Sequence, residues 1–379
     1  MPMHTGWLPR EGLTADPVGR LIKKTALNPA FTLIFILLAR YTKKGSNLSI
    51  LHETAYSRIR SLFYLGLVRL ASNYFDAGVL DNWTSDKYDW NKEIVLITGG
   101  AGGIGGKVVQ LLSEKGVKVV VLDVIPMTFK TALFSWNTML TCGITASNVH
   151  YYKCDITSPS TIASVATEIR KDVGEPTVLI NNAGVARGKD ILNANEKDVR
   201  FTFEVNTLAH YWLAKEFVPS MVARNHGMIV TVSSIAAYIT APNMVDYAGS
   251  KNSAVSFHEG LAAELKTRYN APKVRSVLVT QGYTKTPLFE GYNNDSKFLM
   301  PSLQPETVAE GIVKQVLSGR SGQVILPGFA VILTFLRGFP SWYQNRTRNG
   351  TQSLMTSWKG RQVIDVEKWN RDEGNGESA

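Results

Sequence analysis

The segment LITGGAGGIGGK, Leu96 to Lys107, constrains the fold more than any other stretch of the sequence. It follows the β-branched run EIVLIT and leads into KVVQLLSEKG, which has helical apolar spacing and ends on glycine. In a strand, glycine cluster and helix of this order, the missing side chains let the backbone approach a pyrophosphate, and the helix N-terminus offers free N–H groups. The segment therefore predicts a dinucleotide-binding turn. A glycine-rich turn without a ligand is the alternative.

Two glycine spacings fit this segment. The pattern GxGxxG is formed by Gly100, Gly102 and Gly105. The pattern TGxxxGxG is formed by Thr98, Gly99, Gly103 and Gly105. Either pattern by itself is a weak signal, and the flanking strand and helix are the context that supports it.

Short apolar runs alternate with helical segments through the middle of the chain. The runs that we interpret as strands are EIVLIT, VKVVVLD, NVHYYKCD, PTVLINNAG, GMIVTVSS, VRSVLVT and GQVILP. Alternation of this kind is typical of a parallel sheet with helices on both faces. The predicted fold class is α/β, a single Rossmann-type doubly wound parallel sheet, with an N-terminal extension and a C-terminal apolar segment.

The sequence divides into four predicted parts. They are an N-terminal extension with membrane-associating helices (1–90), a dinucleotide-binding catalytic domain (91–328), an apolar or amphipathic segment (329–364), and a polar, disordered tail (365–379). The segment FKTALFSWNTML, between the second and third strands, is expected to be a long and apolar helix.

Positive charge is concentrated at the N-terminus. Residues 1–60 contain nine Lys or Arg and three Asp or Glu, which gives six of the ten net positive charges of the chain. An excess of basic residues at one end favours an anionic partner, either lipid headgroups or nucleic acid. These basic residues flank apolar runs and match no nucleic-acid-binding motif, so we expect a membrane surface and no nucleic acid.

Three apolar runs lie outside the strands, at 25–39, 61–71 and 327–344. The first has fifteen uncharged residues, whereas a full membrane crossing needs about 20. Trp342 and Tyr343 lie beside Arg337 in the third run, as a membrane interface favours. Monotopic attachment or a short hairpin is the favoured interpretation. Core helices packed on the domain and a true span are the alternatives.

Cysteine and histidine usage argues against a metal site. Cys142 and Cys154 are the two cysteines of the chain, and they fit neither a disulfide scaffold nor a zinc-binding spacing. The six histidines are scattered, without an HxxxH or HExxH pattern. We therefore expect no metal.

Asp123 ends the second predicted strand. A carboxylate at this position accepts hydrogen bonds from a ribose 2′-OH and repels a 2′-phosphate. The next residues, Val124, Ile125 and Pro126, offer no arginine to hold such a phosphate. NAD(H) is therefore favoured and NADP(H) is not excluded. A surface aspartate that caps a loop is the alternative interpretation.

Tyr247 and Lys251 lie four residues apart in the run DYAGSK. On a helix, residues four apart share one face. A phenol has a pKa of about 10 in water, and a neighbouring ammonium lowers it toward neutral pH. The pair is therefore a candidate for proton transfer, although an exposed helix face has the same spacing.

Taken in order, these motifs resemble those of the short-chain dehydrogenase/reductase superfamily over most of 92–328. The glycine segment matches its cofactor motif, Asp155 its adenine-binding acid, and NNAG, Asn181 to Gly184, its sheet-stabilising motif. The resemblance implies a catalytic tetrad of Asn206, Ser234, Tyr247 and Lys251. It implies that the cofactor contacts Thr98, Gly99, Gly103, Ile104, Gly105, Asp123, Asp155, Asn182, Ala183, Gly184, Tyr247, Lys251, Thr284 and Thr286.

The resemblance also implies roles. Tyr247 exchanges a proton with the substrate oxygen, Lys251 lowers the pKa of Tyr247 and holds the nicotinamide ribose, and Ser234 hydrogen-bonds the substrate oxygen. Asn206 holds a water of a proton relay; an ordinary helical residue is its alternative interpretation. One departure is Gln281, which precedes Gly282 where the family usually has Pro-Gly, and it leaves the geometry of that loop open.

Within the superfamily, the sequence is similar to the membrane- and lipid-droplet-associated branch of retinol dehydrogenases and 17-beta-hydroxysteroid dehydrogenases. This implies a small lipophilic alcohol or ketone as substrate, bound by Ser234 and Tyr247 under a lid that contains Phe289, Tyr292 and Phe298. It also implies attachment to endoplasmic reticulum or lipid droplets with the catalytic domain facing the cytosol; a cytoplasmic protein is the alternative. A homodimer is a further expectation.

Three functions stay open at this point. The favoured one is a membrane-attached, NAD-dependent dehydrogenase of lipid alcohols. The second is a ketone reductase of a biosynthetic pathway that uses NADPH. The third is a non-catalytic cofactor-binding protein of a membrane or lipid droplet, which the complete tetrad disfavours.

Overall fold

The computed structural model describes residues 3–127 and 148–360 of the chain. This part contains a parallel sheet of seven strands in the order β3-β2-β1-β4-β5-β6-β7. The strands are β1 (Ile94–Thr98), β2 (Lys118–Asp123), β3 (Val149–Lys153), β4 (Val178–Asn181), β5 (Gly227–Val232), β6 (Val274–Gln281) and β7 (Gly322–Leu326). All seven predicted strands are confirmed.

Helices precede the sheet, alternate with its strands and follow it. They are α1 (Ala15–Lys24), α2 (Pro29–Tyr41), α3 (Lys43–Leu51), α4 (Glu53–Leu80), α5 (Gly103–Glu114), α6 (Pro159–Asp172), α7 (Glu196–Phe203), α8 (Ala209–Arg224), α9 (Val245–Thr267), α10 (Pro305–Leu317), α11 (Val331–Thr334) and α12 (Ser341–Asn349). Short 3₁₀ turns lie at Ile235–Ala237, Pro287–Phe289, Gly328–Ala330 and Leu336–Gly338, and a π-helical turn lies at Glu204–Leu208.

The strands are buried on both faces because their side chains alternate between two helical layers. Val95 and Ile97 of β1 face the layer of α5 and α10, in one core cluster with Val109 and Ile312. Leu96, between them, faces the layer of α6 and α8. The near-continuous valine and isoleucine runs of the sequence follow from this double burial.

The order of the strands determines where a ligand can bind. From β1 the chain winds to β2 and β3 on one side, and then returns to β4 on the other. At such a reversal the connections leave β1 and β4 in opposite directions, which opens a crevice at the carboxyl ends of the strands. The glycine segment that follows β1 lies at this crevice.

The N-terminal extension is fastened to the domain at its start. Glu11 accepts hydrogen bonds from the Gln304 N–H (2.9 Å) and the Thr307 hydroxyl (2.7 Å) at the beginning of α10. The carboxylate of Asp16 accepts from the Gly328 and Phe329 N–H groups, at 2.9 and 3.2 Å. The segment before α2 is therefore fixed beside α10 and the end of β7.

A second attachment follows α4. The Asp81 carboxylate accepts from the Ser321 N–H and from Nε of Arg320, both at 2.8 Å. Arg275 of β6, which is only 2% exposed, donates to the carbonyl oxygens of Asp81 and Thr84, both at 2.8 Å. The extension is thus bound to the sheet at both ends.

Between these attachments, α2 and α4 pack against each other. Gly66 permits the close approach, since a Cβ there would lie 3.0 Å from the Leu27 carbonyl oxygen. The outward faces carry exposed apolar side chains, among them Phe31, Ile34, Phe35, Leu38, Leu65, Val68 and Leu70. These helices are therefore not core helices of the sheet domain.

In the described part of the chain, no single helix has both the length and the apolar character to cross a membrane. Taken together, α1 and α2 pass by length and composition, with a bend of 46° between them.

Two expectations lie outside the described residues. They are the apolar helix in FKTALFSWNTML and the disordered tail 365–379.

Candidate active site

A cavity of about 350 Å³ lies at the carboxyl ends of the central strands. Its lining brings together residues from the glycine segment, from the ends of β2, β4, β5 and β6, and from α9. Most of the predicted site residues meet here. Thr98, Asn206 and Phe298 are not among the described residues that line it.

The glycine segment forms a turn that side chains would block. Gly99 and Gly103 adopt φ values of +67° and +56°, which only glycine adopts without strain. A Cβ at Gly105 would lie 2.1 Å from the Gly99 carbonyl oxygen. Ile104 and Gly105, in the first turn of α5, line the cavity. The free N–H groups of this helix start can therefore approach a bound pyrophosphate.

Thr98 and Asn182 hold this turn against β4. The Thr98 hydroxyl oxygen accepts from the N–H groups of Asn182 (3.1 Å) and Ala183 (3.0 Å). The Asn182 side-chain amide donates to the carbonyl oxygens of Thr98 (3.0 Å) and Gly99 (3.2 Å). Thr98 thus positions the turn from behind, while Asn182, Ala183 and Gly184 also line the cavity.

Two carboxylates line the adenosine end of the cavity. The Asp123 carboxylate accepts from the N–H groups of Ala101 (2.9 Å) and Ile125 (3.1 Å), which fixes its direction at the end of β2. The Asp155 carboxylate accepts from the N–H and the hydroxyl of Thr157, at 2.9 and 2.8 Å. Both line the cavity, and their contacts to ribose and adenine stay predictions.

Three members of the tetrad meet at the opposite end of the cavity. Tyr247 and Lys251 share a face of α9, with the Lys251 ammonium 5.9 Å from the centre of the Tyr247 ring. The ammonium donates to the Val232 carbonyl oxygen at 2.9 Å. Ser234 follows β5, and its hydroxyl donates to the Gln281 carbonyl oxygen at 3.3 Å.

Asn206 lies behind this group, in the π-helical turn Glu204–Leu208. Its amide donates to the Val185 carbonyl oxygen (2.9 Å) and the Ser250 hydroxyl (3.0 Å), and accepts from the Val185 N–H (2.8 Å). A Cβ at Gly184 would lie 3.4 Å from the Asn206 oxygen and 3.2 Å from the Lys251 ammonium. Gly184 therefore lies between Asn206 and Lys251 and is close to both side chains. Such π-turns are frequent at functional sites.

Burial controls the protonation of the pair. It raises the pKa of Tyr247 to about 12, and the neighbouring Ser234 hydroxyl, which lowers this pKa, offsets only part of the rise. It lowers the pKa of Lys251 to about 8. The sequence predicts that Lys251 lowers the pKa of Tyr247; in this structure Ser234 is the group that does so, and desolvation of the phenol is the larger effect.

Aromatic residues cover the substrate end. Phe289 packs edge-on to Tyr247, with ring centres 5.4 Å apart. Tyr292 stacks on Tyr283 at 4.2 Å. Both line the cavity, and their contact with a substrate stays a prediction. Phe298 is 47% exposed and is not among the described residues that line the cavity, so its predicted contact with substrate stays a prediction.

The family model of short chain dehydrogenases matches residues 93–297. This chain belongs to the short-chain dehydrogenase family. The match covers β1 to β6, all of the predicted tetrad and the start of the lid.

Three relatives of this dehydrogenase illustrate its place in the family. Dehydrogenase RED2 of Cochliobolus heterostrophus is 42% identical over 228 residues, 59% of this chain and 82% of that protein. Mouse (Mus musculus) 17-beta-hydroxysteroid dehydrogenase 13 is 30% identical over 272 residues, 71% of this chain and 84% of the relative. Mouse epidermal retinol dehydrogenase 2 is 31% identical over 245 residues, 65% and 77%. The expected branch, with its retinol and steroid dehydrogenases, is confirmed.

A solved structure supports the fold. The short chain dehydrogenase of Burkholderia cenocepacia, in complex with NADP, superposes with a TM-score of 0.54 at 24% identity, over 68% of this chain and 98% of that one. This likeness concerns the fold of the dehydrogenase.

The cradle of this dehydrogenase fits a nicotinamide dinucleotide. The glycine turn leaves room that a Cβ would fill, Asp123 and Asp155 lie at one end, and Thr284 and Thr286 line the other. The bound cofactor supplies or accepts the hydride. The residues of the chain then have to hold the cofactor, exclude water from the cavity and transfer the proton to or from the substrate oxygen.

Sequence reasoning missed one wall of the dehydrogenase cavity. Thr351 and Leu354, after α12, line it, and Met355, 3% exposed, is buried in a cluster with Tyr247. The sequence predicts an apolar or amphipathic segment for this stretch, without a role at the site. The apolar residues of LMTSW, 354 to 358, were the available signal.

This wall is tied to the lid. The Trp358 indole N–H donates to the Leu288 carbonyl oxygen at 2.9 Å. The Asn293 N–H donates to the Leu354 carbonyl oxygen at 2.9 Å, and the Lys359 N–H to the Glu290 carbonyl oxygen at 2.8 Å. The cover over Tyr247 is therefore made of two remote stretches, 287–303 and 351–359.

Proposed function

We propose that this dehydrogenase transfers hydride between NAD(H) and a lipophilic alcohol or ketone that it takes from a membrane or lipid-droplet surface. The observation that carries the proposal is that Tyr247 and Ser234 line the same cavity as a group of apolar side chains. These side chains are Phe289, Tyr292 and Leu354. A proton-transfer group under an apolar roof suits a substrate with one reacting oxygen and a hydrocarbon body. The retinol and steroid dehydrogenases among the relatives support the same class.

The proposal assigns the proton steps to Tyr247 and Ser234. In ketone reduction, the Tyr247 hydroxyl gives its proton to the substrate oxygen, while Ser234 donates a hydrogen bond to the same oxygen. A pKa of about 12 keeps Tyr247 protonated at neutral pH, which suits a proton donor. In alcohol oxidation, the phenol has to lose this proton first, so a positive charge near Tyr247 favours that direction.

Asp123 supports NAD(H) as the cofactor. Its carboxylate is held at the end of β2 by two backbone N–H groups, where a 2′-phosphate would bring a second negative charge. Val124 and Ile125, which follow it in the lining, carry no compensating charge. We therefore expect the affinity for NAD(H) to exceed that for NADP(H).

Membrane attachment is supported by the surface of the extension. Phe31, Ile34 and Leu38 are exposed on α2, and basic residues lie near the end of the α2–α4 pair at Arg40, Lys43, Lys44, Arg58 and Arg60. Exposed apolar faces with adjacent cations suit an interface of lipid tails and anionic headgroups.

The homodimer stays a prediction, and light scattering on the detergent-solubilised protein tests it.

Turnover of detergent-solubilised protein tests the reaction. The substrates are retinol, hydroxysteroids and long-chain secondary alcohols with NAD⁺ or NADP⁺, and the matching ketones with reduced cofactor; the readout is nicotinamide absorbance. We expect oxidation of a lipid alcohol with NAD⁺, and its loss in Tyr247→Phe, which retains the ring. Activity that survives in Tyr247→Phe contradicts the assigned proton donor. Ketone reduction only with NADPH supports the biosynthetic reductase, and cofactor binding without any turnover supports the non-catalytic protein.

Vesicle flotation tests the attachment. The variant combines Phe31→Ser, Ile34→Ser and Leu38→Ser, and it should lose most of its association with vesicles of phosphatidylcholine and phosphatidylserine, because three exposed apolar side chains are removed. Turnover in detergent should be unchanged, since none of these residues lines the cavity. Flotation equal to that of the unsubstituted protein contradicts attachment through α2.

A further inference from the structure

Gln281 is a polar residue at the junction of the cofactor and substrate ends of the cavity. It is the last residue of β6, it pairs with Leu326 of β7, and it lines the cavity. Its carbonyl oxygen accepts the hydrogen bond of Ser234 at 3.3 Å. The residue is therefore adjacent to the group that contacts the reacting oxygen.

The side chain of Gln281 breaks the pattern of its strand. Side chains alternate along a strand, so Gln281 shares a face with Val277 and Val279. Both valines belong to the core cluster between the sheet and the helices α5 and α10. An aliphatic residue would continue this face, yet the sequence places an amide at its end.

This amide oxygen is buried without a partner. Gln281 is 9% exposed, and its side-chain oxygen has no hydrogen-bond partner among the described residues. A Cβ at the next residue, Gly282, would lie near Pro327 (3.2 Å), the Leu326 carbonyl oxygen (3.5 Å) and Met300 (3.7 Å), none of which offers a donor. Buried polar atoms in native proteins are almost always hydrogen-bonded. The described part of the protein therefore supplies no hydrogen-bond donor to this oxygen.

The other amides of the site contrast with it. The side chains of Asn182 and Asn206 are engaged by protein groups, and both hold backbone in place. Asn181 also has an amide without a partner among the described residues, but it does not line the cavity. Gln281 combines an unpartnered amide with a place in the lining.

We propose that the Gln281 side chain hydrogen-bonds a bound reactant, by accepting from a neutral N–H or O–H inside the cavity. The inference rests on the proposed function, because it needs a reactant next to Ser234. The donor is either the carboxamide of the nicotinamide ring or a hydroxyl of the substrate. The side-chain amide also carries N–H donors, so it can pair with a carboxamide through both of its groups.

The test variant is Gln281→Met, which keeps the length of the side chain and removes its hydrogen-bonding groups. Gln281→Leu is a second variant in case the methionine variant does not fold. Gln315→Met is the matched control, because this glutamine lies on α10, away from the cavity, and its amide donates to the Arg320 carbonyl oxygen at 2.8 Å. Unfolding midpoints without ligand and dissociation constants from protein fluorescence are measured for each.

If Gln281 binds a reactant, its substitution should not lower the stability of the free protein but should weaken the binding of that reactant. Without ligand, Gln281→Met should be as stable as the unsubstituted protein or more stable, because an unpartnered buried oxygen is removed. The affinity for a reactant should fall about five- to tenfold, as expected for the loss of one hydrogen bond. Gln315→Met should leave that affinity unchanged.

Two arms identify the donor. If it is the nicotinamide, Gln281→Met weakens binding of the dinucleotide in the absence of substrate, but not of the 3-acetylpyridine analogue, in which a methyl replaces the amide nitrogen. If it is the substrate, both dissociation constants are unchanged and KM rises about five- to tenfold. Either pattern supports the proposal.

Two results overturn it. One is a change of less than about twofold in every dissociation constant and in KM. The other is a lower unfolding midpoint of both Gln281→Met and Gln281→Leu without ligand, which would show that the amide stabilises the protein itself. Failure of the unsubstituted protein to bind any dinucleotide would overturn the proposed function, and this inference with it, and is distinguishable because no substitution is involved.

Discussion

Ile97, in the first strand of the sheet, is fully buried, whereas Ile34, in helix α2, is 53% exposed. The same contrast holds for their surroundings. The apolar residues of β1 are covered by α5, α6, α8 and α10, while the outward faces of α2 and α4 are covered by no described part of the chain. Apolar content alone therefore does not tell where a segment lies; the spacing of the apolar residues and the glycines between them do.

The largest expected effect compares these two isoleucines. Ile97→Ala should lower the free energy of unfolding by about 2–5 kcal/mol, because it leaves a cavity in a closed core. Ile34→Ala should change it by less than about 0.5 kcal/mol, since no packed neighbour surrounds the exposed side. Urea unfolding of both variants in the same detergent measures the difference. Equal losses would mean that α2 belongs to the folded core.

The boundary between the two regions gives the next effect. Asp81→Ala should lower the free energy of unfolding by about 3 kcal/mol, because it leaves the Ser321 N–H and the neighbouring Arg320 and Arg275 cations without their carboxylate. Asp89→Ala is the control, because the side chain of Asp89 is half exposed and pairs with the exposed Lys92. Limited proteolysis near residue 84 should accelerate only in Asp81→Ala. A stable Asp81→Ala variant would show that this attachment is dispensable.

The smallest effect concerns a polar group inside the buried region. Burial lowers the pKa of Lys251 to about 8 from 10.5, so the folded state releases this proton before the unfolded state does. Between about pH 8 and 10.5 the unfolded state binds more protons, and the stability contribution of this residue therefore rises with pH. From pH 7 to 9 the gain should be about 1 kcal/mol.

Lys251→Met provides the comparison, because methionine has no proton to lose. The increase in unfolding free energy from pH 7 to 9, relative to this variant, is the contribution of Lys251. The same slope in both proteins would contradict a lowered pKa. Urea titrations at several pH values measure it, independently of turnover.

The sequence was sufficient for the sheet because local signals were strong there. Valine and isoleucine runs, glycines and helix starts lie next to each other in the chain, and the seven strands follow from them. The glycine turn and the position of Asp123 follow too, since residues at the carboxyl ends of parallel strands meet at one edge. Tyr247 lies in the first turn of α9, and its place in the site is implied by the resemblance of the ordered motifs.

The remaining features depend on contacts between distant parts of the chain. The wall formed by Leu354 and Met355 reaches Tyr247 through an irregular segment, for which no periodicity exists. The bonds of Asp81 to Arg320 and Ser321 join residues about 240 positions apart. The predicted contact of Phe298 with substrate has no local signal either, since the run KFLMP has no spacing that distinguishes an inward from an outward side chain.

The start of the chain also holds the lid. The Ala15 N–H donates to the Phe298 carbonyl oxygen at 3.0 Å, next to Asp16, whose carboxylate fixes Gly328 and Phe329. A protein shortened from its N-terminus would therefore lose the hydrogen bonds that hold the lid over the active site, together with its apolar helices. Poor turnover by such a truncated protein could result from the loss of membrane attachment or from the loss of the contacts that hold the lid. Substitutions on the outer face of α2 change only the membrane attachment and retain the lid contacts.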